Sequence, residues 1–224
     1  MNTLFNPDNA FFSFMGKAFD MFIINLLWLV LCIPIVTIVP ATTAMYYVIV
    51  KVIRRERSYA VKEFFRSFKR NFRQGSIYSI LGVVAVFVMY IDFKYALQMA
   101  EEGNDMGSTY FGIFLVVAIL LSAVFAYLCP VLSRFEMKFW GLLKTSFYMA
   151  TRHFPTTFVL LVLLVAVLLG CYLVVPGIFV LPVVGTLLAS FLLERVFKQY
   201  MPAKEENKGE NAEENHERDE WYLE

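Results

Sequence analysis

Three long stretches of this chain carry no charged side chain: residues 75–91, 110–133 and 156–193. A helix of roughly 20 apolar residues is enough to cross the hydrocarbon core of a bilayer. A soluble domain cannot bury so much contiguous apolar surface, whereas a bilayer accommodates it directly. We therefore predict an integral membrane protein of the all-α class, folded as a polytopic transmembrane helical bundle.

The composition agrees with this prediction, and the charges are strongly segregated. Hydrophobic residues make up 59% of the chain, against about 45–50% apolar residues in soluble domains. The net charge of +1 conceals two opposite segments. Residues 51–73 hold nine basic and two acidic side chains, whereas residues 204–224 hold three basic and nine acidic ones. The segment from residue 201 to 224 is therefore predicted to be a charged, solvated tail.

Hydropathy and proline positions divide the first 200 residues into five or six spans. Pro34 and Pro40 interrupt the first apolar region, and Pro40 is suited to the first turn of a new helix because its missing N–H is not needed there. If residues 19–53 form one bent span instead, the count falls to five. Pro176 and Gly177 predict a tight hairpin between the last two spans. The predicted spans are residues 19–36, 40–57, 75–98, 108–133, 156–175 and 177–196.

Amphipathic segments that suit the membrane interface lie between the spans. A short one covers residues 9–18, and two basic ones cover residues 60–74 and 135–152. Residues 60–74 have apolar side chains at helical spacing (Val61, Phe64, Phe65, Phe68 and Phe72) and basic side chains on the other faces. We expect those basic residues to contact anionic lipid headgroups: Lys62, Arg66, Lys69, Arg70 and Arg73. Lipid explains the basic segments more simply than nucleic acid does, so no nucleic-acid partner is predicted.

The basic segments also predict an orientation in a bacterial cytoplasmic membrane. Residues 51–73 and 134–152 should face the cytoplasm, and the acidic loop 99–109 should face outward. The C-terminal tail then returns to the cytoplasm. The N-terminus is cytoplasmic with six spans and external with five, and Lys17 beside the first span favours six.

Polar residues inside the spans are the natural candidates for a functional site. The candidates are Asn25, Thr42, Thr43 and Asp92. We interpret Asn25 chiefly as a structural hydrogen-bonding residue between helices, and the two threonines chiefly as part of a turn. An ion or proton site at Asp92 is the less favoured alternative to a simple interfacial position. Small residues also recur every four positions and suit close helix packing or a partner interface: Ala118, Ser122 and Ala126; Ala166 and Gly170; Gly185 and Ala189.

Motifs for catalysis are absent from the sequence. It has no G-x-x-x-x-G-K-[ST] phosphate loop, no G-x-S-x-G and no H-E-x-x-H. Its three cysteines lie in apolar stretches without metal or redox spacing. We therefore predict a protein that is not an enzyme and that binds no metal or cofactor.

The N-terminal third resembles a known family of membrane proteins. The run NLLWLVLCIPIVTIVPATTAMYYVIVKVIRRE at residues 25–56, followed by FFRSFKRNFRQ at residues 64–74, resembles the YesL-like family of bacterial integral membrane proteins. The resemblance implies a polytopic protein without an assigned activity, whose relatives are often encoded beside carbohydrate uptake systems. It supplies no catalytic residues.

Two functions follow as expectations. The first is an accessory or scaffold component that binds sugar permease subunits. The second is a small solute transporter or exporter, with a polar cavity near Asn25, Thr42 and Thr43 and with homo-oligomers as an option. A membrane-bound sensor whose tail contacts a cytoplasmic partner is a weaker third reading.

The orientation is tested by fusing reporters to the two kinds of loop. A reporter joined near Ser58 should report the cytoplasm, and one joined near Gly103 should report the outer side. Paired alkaline phosphatase and fluorescent-protein fusions measure this directly. An external signal from the Ser58 fusion would contradict the predicted topology.

Overall fold

The computed structural model describes residues 10–54, 59–101 and 105–200. These residues form seven α-helices and no strand, so the prediction of an all-α bundle is confirmed. Short 3₁₀-helices precede α2 and α7, at Ile35–Thr37 and Val175–Phe179, and a π-helix at Ile49–Ile53 continues α2. The α-helices are α1 Ala10–Cys32, α2 Ile38–Val48, α3 Ala60–Glu101, α4 Asp105–Arg134, α5 Phe139–Arg152, α6 Phe154–Leu173 and α7 Leu181–Phe197.

Within these described ranges, five helical stretches are long and apolar enough to cross a membrane. They are Phe14–Cys32, Ile35–Ile53, Ala60–Met99, Thr109–Arg134 and Phe154–Leu173. Four of the five bury only 11–17% of their most apolar window inside the protein, which leaves their apolar side chains facing outward as lipid-exposed residues do. The sixth predicted span corresponds to α7, which is shorter at 17 residues.

The stretch Ile35–Ile53 differs from the other four because other helices surround it. Its apolar window is 78% buried. It runs antiparallel to α3, since Lys51 lies beside Glu63 while the Val39 N–H donates to Ser79 Oγ at 3.0 Å. Between these contacts, Pro40 packs against Gly75. The centre of the bundle is therefore α2 with its π-helical extension.

Several helix boundaries differ from the sequence-based expectation. The interfacial segments 9–18 and 60–74 are not separate helices, because α1 and α3 run through them into the following spans. In α3 one buried face is continuous across the expected boundary, through Phe64, Gly75 and Tyr78. Packing along this face keeps the helix intact where the change in polarity predicts a break.

The other boundaries shift by a few residues. The α2 helix begins at Ile38, which still leaves Pro40 in the first turn as expected. The basic segment after α4 becomes helical at Phe139, not at residue 135. The predicted tail from residue 201 lies outside the described residues.

The distal parts of α3 and α4 form a two-helix arm, which we define as residues 80–122. Among its described side chains only Gly82, Ala96 and Gly107 are buried. The two helices contact each other through aromatic pairs such as Phe93–Phe114, with ring centroids 5.8 Å apart, and Tyr95–Tyr110, at 6.0 Å. The other described side chains of the arm are exposed or half-buried, and most of them are apolar.

Replacing Gly75 by alanine tests the close contact between α2 and α3. A Cβ at Gly75 would lie 2.9 Å from Pro40 Cδ and 3.0 Å from the Pro40 backbone nitrogen. Backbone cannot yield as a flexible side chain does, so Gly75→Ala should destabilise the fold by about 1–3 kcal/mol. The free energy or midpoint of unfolding in detergent measures this.

Gly112→Ala is the matched control. A Cβ there meets no atom within 4 Å, leaving out the helix's own nearby backbone. Helix propensity predicts unchanged or slightly raised stability for this variant. Equal stability of the two variants would contradict the packing described.

Candidate functional site

Four charged side chains are buried in the described part of the bundle. Lys51, Glu63, Arg134 and Glu194 are 5%, 3%, 5% and 4% exposed. They come from the π-helix, α3, α4 and α7, and they form two ion pairs on either side of α2. Buried charges in a membrane bundle are costly unless paired, and they commonly mark functional or organising sites.

The first ion pair joins α4 to α7. Arg134 Nε donates to Glu194 Oε1 at 2.9 Å, and Arg134 Nη2 donates to Glu194 Oε2. This forked geometry is the strongest arrangement open to an arginine and a carboxylate. Tyr46 OH also donates to Glu194 Oε1, at 3.0 Å. The Glu194 carboxylate therefore links three helices.

The second ion pair joins the π-helix to α3. Lys51 Nζ lies 3.0 Å from Glu63 Oε2 and donates to Tyr47 OH at 3.2 Å. On the outer side, Arg66 Nη1 lies 3.8 Å from Glu63 Oε1. The guanidinium of Arg70 lies 5.7 Å from the centre of the Tyr47 ring. Glu63 is thus placed among cations that extend from the core to the surface.

The π-helix positions Lys51 next to Glu63. Its wider turn is closed by the Arg54 N–H, which donates to the Ile49 carbonyl at 3.0 Å. The Arg54 side chain donates to the Ser190 carbonyl at 2.9 Å and stacks 4.3 Å from the centre of the Phe191 ring. Single π-turns occur often at functional sites. Here the turn brings contacts from α3 and α7 onto one segment.

The chemistry of these groups is that of a structural network. Each buried carboxylate has a cation within contact distance, so the pairs are internally neutral. Over the described residues, no three His, Cys, Asp or Glu side chains lie close enough together to hold a metal ion. The arrangement can fix helices relative to one another, and it presents no carboxylate that lacks a cation beside it for acid–base work.

The four predicted intramembrane sites do not converge. Asn25 is buried and its Nδ2 donates to the Ile178 carbonyl at 2.9 Å. Thr42 Oγ1 accepts from Trp28 Nε1 at 3.1 Å and donates to the Ile38 carbonyl at 2.8 Å. Thr43 is buried in the core. Asp92 lies on the arm, half-buried, with its Oδ1 3.5 Å from Tyr110 OH.

The five predicted lipid-contact residues share one exposed face of α3. Lys62, Arg66, Lys69, Arg70 and Arg73 are all exposed. Of the five apolar residues at helical spacing, only Phe64 is fully buried within the protein. It shares the core face with Glu63, Ser67 and Asn71, whereas Val61, Phe65 and Phe72 are exposed. On this face Glu63 pairs with Lys51 of the π-helix, and Asn71 donates to Ser67 one turn earlier in the same helix.

Sequence reasoning missed the ion pairs because it placed Lys51, Glu63 and Arg134 in basic cytoplasmic segments. It gave no role to Glu194, near the end of the last predicted span. Glu194 is the first charge after the 38 uncharged residues 156–193, and Lys51 and Arg134 each end an apolar run. A single charge at the edge of an apolar run is a usable signal for a buried ion pair. Which charges pair depends on helix packing, so the pairing was not readable from the sequence.

Comparison with known proteins confirms the resemblance to the YesL-like family. Residues 21–93 match the family described as "Protein of unknown function, DUF624". The "Uncharacterized protein YesL" of Bacillus subtilis (strain 168) is 26% identical over 193 residues, which cover 84% of this chain and 88% of that protein. No solved structure matches the chain. The family match over residues 21–93 contains Lys51, Tyr46, Tyr47 and Glu63, but not Arg134 or Glu194.

Removing the charge of Glu194 should strongly destabilise the bundle. Glu194→Gln leaves Arg134 buried without its carboxylate, which costs about 3–5 kcal/mol for comparable buried pairs. The double variant Arg134→Met, Glu194→Leu should recover much of that loss, because it removes both charges. Unfolding free energies of the single and double variants measure the coupling.

Arg195→Gln is the matched control for this experiment. Arg195 is exposed and adjacent to Glu194, so its loss should change stability by less than about 0.5 kcal/mol. If Glu194→Gln proved as mild as Arg195→Gln, the ion pair would not hold α4 to α7.

Proposed function

We propose that this YesL-like chain is a non-catalytic, multi-pass protein of the bacterial cytoplasmic membrane that acts as an accessory or scaffold component of a carbohydrate uptake system. The observation that carries the proposal is the exposed arm of α3 and α4. A pair of long apolar helices that the rest of the bundle leaves uncovered offers a surface on which a second membrane protein can pack. The link to carbohydrate uptake rests on the family resemblance alone.

The arm has the side chains that helix association in a membrane requires. Ser122 is exposed on α4, one turn from the half-buried Ala118 and Ala126. Its hydroxyl donates to the Ala118 carbonyl at 2.8 Å. Small residues at this spacing allow a neighbouring helix to approach closely, and dispersion contacts then drive association in lipid. Such a surface supports packing of a transmembrane helix from another membrane protein, and we propose that this helix belongs to a permease subunit.

The alternative function, solute transport, has weaker support from the polar residues. The side chains of Asn25 and Thr42 donate hydrogen bonds to groups within the bundle, and Thr43 is enclosed. A transport pathway needs polar groups that face a common cavity. These residues instead hold α1 and α2 against their neighbours, which favours the accessory function.

The proposal includes the orientation predicted from the charges. The basic start of α3 and the basic α5 face the cytoplasm, and the loop between α3 and α4 faces outward. Because α6 and α7 form a hairpin, the chain after α7 is on the same side as α5. Both termini are then cytoplasmic, with α7 as the sixth crossing.

Replacing a small side chain on the arm by a large one should weaken the binding of permease subunits. We expect Ser122→Leu to lower the recovery of permease subunits at least several-fold when the tagged chain is purified from native membranes and the co-purified proteins are quantified by mass spectrometry. Ala18→Leu is the matched control, because Ala18 is an exposed small residue on α1 that belongs to none of the small-residue stripes. This control should recover the partner as the unmodified chain does.

Two outcomes would overturn the proposal. One is equal recovery of permease subunits with both variants. The other is sugar uptake by proteoliposomes that contain this chain alone, which would support the transporter alternative.

A further inference from the structure

The basic side chains of α3 lie on one narrow face of the helix. At 3.6 residues per turn, Lys62, Arg66, Lys69, Arg70 and Arg73 fall within an arc of about 100°. All five are exposed. The buried face lies on the opposite side of the helix, so most of this basic face points away from the bundle, and Arg70 lies at its edge nearest the core.

The same face becomes apolar within one turn of Arg73. Ile77, Ile80 and Val84 continue it, and all three are exposed. An outward face that changes from basic to apolar over one turn is what a helix shows where it passes from the headgroup layer into hydrocarbon. The last basic turn, Lys69 to Arg73, therefore lies at the height of the lipid phosphates.

The position of Arg70 is supported from inside the protein. Its guanidinium lies over the Tyr47 ring, and the Tyr47 hydroxyl accepts from the buried Lys51. Arg73 follows three residues later on the same face, where i,i+3 side chains are neighbours. Two arginines so placed can offer paired N–H donors to one phosphate group.

We infer that Arg70 and Arg73, assisted by Lys69, form a binding site for the phosphate of an anionic phospholipid headgroup. The site is independent of the proposed permease partner and would exist in the chain alone. Lipid fits better than the acidic tail, because the face runs on into Ile77 and Ile80, which a charged peptide would not cover. Lys62 and Arg66 lie farther from the boundary; Arg66 is about 16 Å along the helix from Ile77.

The test measures lipid selectivity in reconstituted vesicles. The full chain is placed in phosphatidylcholine containing a minor fraction of phosphatidylglycerol, and the bound fractions of spin-labelled forms of the two lipids are compared at physiological ionic strength. Arg70→Gln, Arg73→Gln should lower the selectivity for phosphatidylglycerol by about five- to thirty-fold, since each cation near the surface contributes about five-fold.

Lys62→Gln, Arg66→Gln is the matched control, with the same charge loss on the same face. Its selectivity should fall by a clearly smaller factor, because Arg66 and Lys62 lie about 8 Å and about 14 Å along the helix from the middle of the site, at or beyond the screening length of about 8 Å. Circular dichroism and elution volume check that both variants are folded. Equal losses in the two variants, or no loss in either, would overturn the site.

Two further measurements distinguish lipid from other sources of the bound group. Inorganic phosphate at constant ionic strength should leave the selectivity unchanged, and displacement of the labelled lipid by it would show a site for soluble phosphate instead. A chain ended after Tyr200 should keep the selectivity of the full chain. A several-fold rise on truncation would make the acidic tail the occupant and would overturn the proposal.

Discussion

Two buried ion pairs fix how the helices of this protein fit together. Lys51–Glu63 sets α2 and its π-helix against α3, and Arg134–Glu194 sets α4 against α7. The consecutive residues Tyr46 and Tyr47 reach one pair each. In surroundings of low polarity, a shift of either helix pair by one turn would separate the charges at a cost of several kcal/mol. The pairs therefore specify register, which nonspecific apolar packing alone does not.

The π-helix and the glycine at position 75 allow the register that the Lys51–Glu63 pair requires. The close contact between Pro40 and Gly75 brings α2 and α3 together at one end, while Lys51 must reach Glu63 at the other. A wider turn at Ile49–Ile53 changes the direction in which the last residues of the segment point. It thereby brings Lys51 to Glu63 and Arg54 to Ser190. The π-helix therefore lies where one segment must contact both α3 and α7.

The sequence predicts the class of the fold well, because membrane helices require apolar lengths that are visible in any one segment. The hairpin at Pro176 and the helix start near Pro40 were likewise readable from local chemistry. The buried face of α3 was not readable. The apolar residues at helical spacing predicted a side that meets the membrane, and they did not predict that Glu63, Ser67 and Asn71 lie on the face buried in the bundle. Glu63 pairs with Lys51 of the π-helix, and Asn71 bonds to Ser67 one turn earlier on the buried side. The sequence pattern of α3 alone could not predict which of these polar residues are buried.

The centre of the bundle and the arm differ in how their side chains are used, and this difference bears on the proposed function. Charges in the centre are paired, and Asn25 and Thr42 are engaged by neighbouring helices, so that region is built to hold its shape. The arm has few buried side chains and carries small residues on α4, and near its base Phe125 of α4 fills the space a Cβ at Gly82 of α3 would take. A well-packed centre with an uncovered apolar helix pair supports the proposed accessory function, in which another membrane protein packs on the arm, better than it supports solute transport. A solute pathway would need polar groups facing a shared cavity, whereas here the Asn25 amide N–H and the Thr42 hydroxyl bond to groups within the bundle.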